Sequence, residues 1–289
     1  MLNIAIYSQK KDTETFNYLK KLIQVLEEKK CQIFLYQSIL EVFDFSKELK
    51  TFSGKSDLES QKVDYFFTLG GDGTILDALQ LIQNLQIPVV GVNMGRLGFL
   101  ANFNKDEIFD DLDKILQGEV NLSQRSVIEI STEKAEINFP YALNDVVLTR
   151  KETTSMITVE AEINGEFLSY FWGDGLIVAT PSGSTAYSLS CGGAIIEPGN
   201  DNFSLTPIAP HNLNMRPIIL KDDVEIKLKV SSREPQYSLG LDSRLYHIHT
   251  EDVLRLKKAN FHLCLITPKN LNFYETLRQK LLWGKDKRN

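Results

Sequence analysis

The stretch Leu69-Gly70-Gly71-Asp72-Gly73-Thr74 most narrows what this chain can fold into. It closes an apolar run over 63–69 that reads as a buried strand, and it opens 75–84, whose apolar spacing reads as a helix. Three glycines around one carboxylate at a strand-to-helix turn let backbone N–H groups approach a ligand closely, and a helix N-terminus favours anions. Asp72 would repel a phosphate unless a metal or a proton transfer gives it work. Two readings of Asp72 stand at this point: a former of a local Asx turn and a catalytic carboxylate.

The segments around the turn alternate. A strand is expected at 4–7, an amphipathic helix at 11–29, a strand at 32–36 and another at 88–92. The polar segment 47–62 reads as a loop between helical pieces. Strand, helix and strand in this order predict a parallel sheet with helices on its faces, and ligands of such sheets bind beyond the carboxyl ends of the strands. Asn93-Met94-Gly95-Arg96-Leu97-Gly98-Phe99-Leu100 is a second glycine-bearing turn after a strand. Either it is a loop that needs positive φ at Gly95 and Gly98, or it faces the first turn across the same crevice.

After one more helix at 105–116 the pattern becomes a series of short alternating segments, and Asn164-Gly165 between two of them is a hairpin signal. The expected architecture is therefore an α/β N-terminal nucleotide-binding domain with a parallel sheet over 1–100. A β-rich, sandwich-like domain follows over 101–269, and a terminal helix within 270–289 packs back on the first. A chain of 289 residues is long enough for two such cores. A net charge of −6 argues against an unspecific grip on nucleic acid, and no apolar run approaches the roughly 20 residues of a membrane span. With Cys31, Cys191 and Cys264 widely spaced and no leader at the N-terminus, a cytoplasmic protein with reduced thiols is expected.

Two further stretches carry candidate chemistry. From Gly173 to Gly193 a buried strand is bracketed by glycine- and hydroxyl-rich loops, with six Ser or Thr between Thr180 and Ser190. N-capping of a short helix at Ser184 or Thr185 needs one hydroxyl. The density points to a polar ligand, with Tyr187 offering a flat face for a base. In Leu143-Asn144-Asp145-Val146, two adjacent polar residues interrupt an apolar strand, and a buried amide or carboxylate there needs partners.

Taken together these stretches resemble the NAD kinase family. The matching motifs are GGDGT at 70–74, Leu-Asn-Asp at 143–145, the run 173–193, the turn 93–100, Pro210-His211-Asn212-Leu213 with Arg216-Pro217, and the terminal Leu277-Arg278-Gln279-Lys280-Leu281-Leu282-Trp283-Gly284. GGDGT is shared with lipid and sugar kinases; Thr180-Pro181-Ser182-Gly183-Ser184-Thr185-Ala186-Tyr187 discriminates far better. The resemblance implies transfer of the γ-phosphoryl group of ATP to the 2′-hydroxyl of the adenosine ribose of NAD, giving NADP. Asp72 would be the general base in a crevice between the two domains.

It further implies that Gly70, Gly71, Gly73 and Thr74 serve the phosphates, with Gly73 also beside NAD, and that His211 assists on the ATP side. Mg²⁺, or another divalent metal, is held mainly by ATP and not by a protein cluster. Asn144 and Asp145 would contact the adenosine part of NAD, Asp174 and Ala186 would lie near the nicotinamide amide, Thr185, Tyr187 and Ser190 would line the adenine and ribose, and Ser188 would also bind NAD. Three positions depart from the family pattern: Asp145 where Glu is frequent, Trp172 where a basic residue is frequent, and Arg244 where Gln is common. Arg244 is expected to supply a compensating charge toward NAD. A homodimer or homotetramer is implied, with neither nucleic acid nor membrane as partner.

Rival readings are a lipid or sugar kinase and a non-catalytic dinucleotide-binding regulator. His247 and His249 read as an exposed strand surface without a metal, Cys191 as a packed thiol, and Arg255, Lys257 and Lys258 as a solvated strand edge.

Overall fold

The computed structural model describes residues 1–45, 49–95, 98–151, 155–269 and 271–283. The chain divides into two compact units, one made of residues 1–124 and 263–289 and the other of residues 125–262.

The first unit is built on a mostly parallel sheet. Its strands run in the order Lys50–Phe52, Gln32–Tyr36, Asn3–Ser8, Tyr65–Gly70, Val89–Asn93, Leu263–Thr267 and Asn121–Arg125. From Asn3–Ser8 the chain steps outward in one direction, then returns to Tyr65–Gly70 on the other side and steps the opposite way. That reversal is a topological switch point, and in open sheets of this kind ligands bind beyond the carboxyl ends of the strands at such a point. The glycine turn follows the strand at the reversal. Asp12 caps the helix Thr13–Glu28 by accepting the Thr15 N–H at 2.8 Å, and the helix buries Leu19, Leu22, Ile23 and Leu26 against the sheet residues Ile4, Ile6 and Leu69.

The unit boundary differs from the one expected at residue 100. The helix Ile108–Leu116 buries Ile108, Leu112 and Ile115 in the core that also holds Val90, Val92 and Ile266. The strand Leu263–Thr267 pairs in parallel with Val89–Asn93, Leu265 opposite Val89. Thus residues on both sides of the second unit complete the sheet of the first. The helix Phe273–Leu281 belongs to the same unit, its Phe273 ring 6.5 Å from that of Phe99. Segment 47–62 is more ordered than a loop: Lys50–Phe52 is a parallel strand and Lys55–Ser60 a helix, while residues 46–48 lie outside the described residues.

The second unit stacks two antiparallel sheets of six strands each over one apolar core, in which Val146, Leu148, Leu176, Val178, Leu205 and Leu239 meet Val159, Phe171, Leu228 and Leu256. Asn164 (φ 52°) and Gly165 (φ 82°) make the expected tight turn between Ile157–Ile163 and Glu166–Gly173. The basic stretch is not a sheet edge. The strand Val253–Lys258 lies between Ile226–Ser231 and Ile128–Thr132. Its cations pair with acids: Lys257 with Glu129 at 3.4 Å, Arg255 with Glu133 and Glu225 at 3.3 and 3.4 Å, and Lys258 with Asp201 and Asp222 at 3.0 and 2.8 Å. Arg244–His249 is an edge strand, and it exposes His247 and His249. Among the described residues no helix is long and apolar enough to cross a membrane.

Candidate functional site

In the first unit the sheet strand ends at Gly70, Gly71 is the N-cap residue, and Asp72 is the first residue of the helix Asp72–Ile82. The Asp72 carboxylate makes no local turn. It reaches the second glycine turn, where Oδ2 accepts the Phe99 N–H at 2.8 Å and Oδ1 accepts those of Leu100 and Ala101, both at 3.0 Å. The two glycine turns therefore form one site within this unit. A carboxylate offers about four acceptor positions. Among the described residues three are filled, and the one left over lies on Oδ2 of a half-buried side chain.

The glycines divide by cause. A Cβ at Gly98 would stand 1.8 Å from Asp72 Oδ1, and one at Gly70 would stand 2.0 Å from Thr74 Oγ1. Close packing inside the protein explains both. A Cβ at Gly71 or Gly73 would meet nothing within 4 Å, and both residues are exposed. Among the described residues no neighbour requires glycine at those two positions. Gly95 is not among the described residues with positive φ; its N–H bonds to Asn93 Oδ1 at 2.8 Å. Thr74 is buried beneath Gly70, and Arg96, Leu97 and Gly284 lie outside the described residues.

In the second unit Asp145 opens the strand Asp145–Thr149, which pairs with Gly175–Ala179, Asp145 opposite Ala179. Asp145 is 4% exposed. Burial, reinforced by the nearby Asp242 carboxylate and opposed by the Tyr187 N–H, pushes its carboxyl up to about 7. That N–H contact brings together two of the expected site residues, Asp145 and Tyr187. Beside them the Oδ1 of Asn144 is buried without a hydrogen-bond partner among the described residues, a condition that costs about 1–3 kcal/mol.

The loop 180–193 forms a 3-10 turn, Gly183–Thr185, and a short helix, Tyr187–Ser190, neither capped by a side chain. The capping reading of Ser184 and Thr185 therefore does not hold. Of its six hydroxyls, five bond within the unit. Thr180 Oγ1 donates to Leu143 O at 2.6 Å, Ser184 Oγ to Pro181 O at 2.7 Å and Thr185 Oγ1 to Ser182 O at 3.2 Å. Ser188 Oγ and Thr206 Oγ1 are 2.9 Å apart, and Ser182 Oγ accepts from Arg125 at 3.4 Å. The hydroxyls brace the loop, leaving Tyr187 and Ser190 exposed and Thr185 and Ala186 half-buried.

Asp174 follows the strand Glu166–Gly173 and pairs with Arg150, Oδ1 to Nε 3.0 Å. His211 is exposed; its ring lies 4.3 Å from that of Trp172, and its N–H donates to Trp172 O at 2.8 Å. Arg244 is committed to its own chain: the guanidinium lies over the Phe139 ring and donates to Phe139 O and Tyr141 O. Its Nη2 is 3.9 Å from Asp242 Oδ2. Asp242, which no sequence pattern singled out, accepts the N–H groups of Leu143, Asn144 and Asp145. Its only local signal is an acid between two apolar strands, where Asp tolerates a left-handed backbone. Among the described residues no group of three or more His, Cys, Asp or Glu side chains is placed to hold a metal ion.

Comparison with known proteins matches both units to one family. Residues 4–120 match the model of the ATP-NAD kinase N-terminal domain, and residues 143–267 that of the ATP-NAD kinase C-terminal domain. The NAD kinase of Christiangramia forsetii is 41% identical over 295 residues, covering 100% of both chains. That of Flavobacterium psychrophilum is 40% identical over 297 residues, again covering 100% of both. Among solved structures, yeast NADH kinase complexed with NADH superposes with a TM-score of 0.89 at 25% identity, covering 99% of this chain and 89% of the yeast chain.

Proposed function

The chain belongs to the ATP-NAD kinase family, and from that premise we propose that Asp72 is the general base that activates the 2′-hydroxyl of NAD's adenosine ribose. The observation that carries this reading is the Asp72 carboxylate, fixed by three backbone N–H groups and, among the described residues, with one acceptor position left on Oδ2. In the reaction the ribose oxygen forms a bond to the γ-phosphorus of ATP and the bond from that phosphorus to the β,γ-bridging oxygen breaks. ADP leaves, and the hydroxyl proton passes to Asp72. Base assistance of this kind is worth about 10²–10⁴ in rate. The rest is positioning and neutralisation of charge, with Mg²⁺ or another divalent cation arriving on ATP as part of the substrate.

The open backbone at Gly71 and Gly73 suits phosphate oxygens at the helix N-terminus. In the second unit Asn144, Asp145, Thr185, Tyr187 and Ser190 are assigned to the adenosine end of NAD. Asp174 and Ala186 are assigned to the nicotinamide amide, and His211 to the ATP side. Gly70, Thr74 and Ser188 are assigned a packing role, and Arg244 a role within its own chain, because each is engaged there. We assign self-association, as a homodimer or homotetramer, to the outer face of the sheet that carries Asp145. There Val147, Gly240 and Leu245 stand in one row and Leu245 is 66% exposed. The reading takes the reaction to be cytoplasmic.

Incubation of the purified chain with MgATP and NAD, with NADP as the measured product, tests the reading. Turnover is expected for the wild type and is expected to vanish in Asp72→Asn while NAD still binds. Near-normal activity in that variant would remove Asp72 from the role of base.

A further inference from the structure

Residues 143 and 144 lie between the strands Tyr141–Ala142 and Asp145–Thr149, outside either ladder. Buried backbone N–H and C=O groups must find partners, and here two residues supply all of them for 143–145. Asp242 Oδ2 accepts the Leu143 N–H at 2.9 Å, and Oδ1 accepts those of Asn144 and Asp145 at 2.7 and 3.3 Å. The Leu143 carbonyl accepts the Thr180 hydroxyl at 2.6 Å and the Asn144 carbonyl accepts the Thr180 N–H at 2.9 Å. The Asp145 carbonyl accepts the Asp242 N–H at 3.0 Å. All six groups are satisfied.

Asp242 does this from a left-handed backbone, φ 52°, at the turn between Gln236–Leu241 and Arg244–His249. That conformation is uncommon for a residue with a side chain, and here the carboxylate and N–H of Asp242 both bond to the same short segment. The side chain is 2% exposed, and Arg244 lies 3.9 Å away to offset its charge. From the opposite side the loop closes on the segment: a Cβ at Gly183 would stand 2.0 Å from Asn144 O. With the backbone saturated, the free valences of this segment are side-chain ones. Asn144 Oδ1 is buried without a partner among the described residues, and Asp145 is 4% exposed.

We propose that Asp242, backed by Thr180, is a positioning residue for dinucleotide binding: it holds 143–145 in the one backbone path that presents Asn144 and Asp145 to the ribose hydroxyls of NAD. The inference rests on the assignment of Asn144 and Asp145 made above. Asp242 touches no substrate; it acts through the peptide it clamps.

Asp242→Asn tests this. The carboxamide keeps one acceptor oxygen and sets an NH₂ group against a backbone N–H. Steady-state kinetics with MgATP and NAD, together with calorimetric titration of NAD alone, read the effect. KM and Kd for NAD are expected to rise about tenfold or more, while kcat and the KM for ATP stay within about twofold. A merely structural role would lower the melting temperature and the folded fraction without moving KM. A folded Asp242→Asn enzyme with wild-type affinity for NAD overturns the proposal. Should that variant not fold, Thr180→Val and Thr180→Ser are compared. A KM for NAD raised about fivefold in Val and normal in Ser supports the clamp; a normal KM in Val overturns it. Asn144→Ala separates the two layers. If it leaves the KM for NAD unmoved, the assignment of 144 and 145 fails and takes the clamp with it. If it raises KM while Asp242→Asn does not, only the clamp fails.

Discussion

Two aspartates in different units each meet three N–H groups of consecutive residues, and the same motif serves opposite ends. At Asp72 the backbone of 99–101 holds the carboxylate. At Asp242 the carboxylate holds the backbone of 143–145. Asp72 is half-buried just after a sheet strand and, among the described residues, has an acceptor position left on Oδ2. Asp242 is buried, has Arg244 beside it, and its burial raises its carboxyl despite the N–H donors around it. A cradle of N–H groups fixes geometry in both places; the two acids differ in exposure, and the roles proposed for them follow that difference.

The sharpest way to break this comparison is to remove the charge and keep the shape on each side. Asp72→Asn is expected to lower kcat by about 10²–10⁴ with NAD affinity retained, whereas the loss expected for Asp242→Asn falls on NAD affinity. If both variants lost kcat alone, or both lost affinity alone, the division of labour would be mistaken. Gly98→Ala is the next largest. Its added methyl would stand 1.8 Å from Asp72 Oδ1, so the carboxylate must shift. A misplacement of about 1 Å can cost about 10²-fold in rate. Stopped-flow or steady-state kcat should fall accordingly while the Kd for NAD holds; an unchanged kcat would mean that the cradle does not need its close fit.

Why one of these acids could be read from the chain and the other could not is a matter of sequence separation. Asp72 sits inside its own signal, glycines on either side of it and an apolar run before it. Even so, its partners at 99–101 were only half visible, because the turn 93–100 fitted a strained loop as well as a facing one. Asp242 grips Asn144 across 98 residues, and no local pattern records such a contact. The unit boundary hid for the same reason. The sheet that the helix Ile108–Leu116 helps to bury is completed by Leu263–Thr267, which the chain reaches only after the whole second unit. The hydroxyl-rich loop taught a different lesson. Its composition points to a polar ligand, yet five of its six hydroxyls bond within the unit. Side chains that look aimed at a ligand can be spent on holding the backbone that meets it.

Asp145 supplies a smaller and more graded test. Its carboxyl is pushed up from the ordinary 3.8 to about 7, and in the role proposed for it, accepting hydrogen bonds from ribose hydroxyls, it works best when ionised. The KM for NAD should therefore fall by about tenfold between pH 6 and pH 8, with kcat following a separate profile. The sign for stability is opposite. A folded value above the unfolded one means that Asp145 contributes most below about pH 4 and that this contribution is lost as pH rises through about 7. Asp145→Asn should flatten both trends; a KM for NAD that ignores pH in the wild type would separate Asp145 from the ribose.

The smallest effect on catalysis is expected where the motif occurs a third time. Asp252 accepts the N–H groups of Glu133 and Ala135 at 2.8 Å each, of Lys134 at 3.1 Å and of its neighbour Val253 at 2.8 Å. Burial pushes its carboxyl up, but the four donors outweigh it and leave it below the ordinary value. None of the residues it clamps is assigned to substrate. Asp252→Asn should therefore cost about 1.5–3 kcal/mol of stability, the range for hydrogen bonds to a charged group, and leave kcat and both KM values within about twofold. Because its folded value is depressed, the wild-type contribution is present above the unfolded carboxylate range and is lost as pH falls through the folded value. Chemical denaturation at neutral and acidic pH reads this directly. The three aspartates then separate by readout: rate for Asp72, affinity for Asp242, stability alone for Asp252. If Asp252→Asn changed NAD affinity as much as Asp242→Asn, a cradled acid anywhere in this unit would disturb binding through the fold, and the specific role given to Asp242 would be lost.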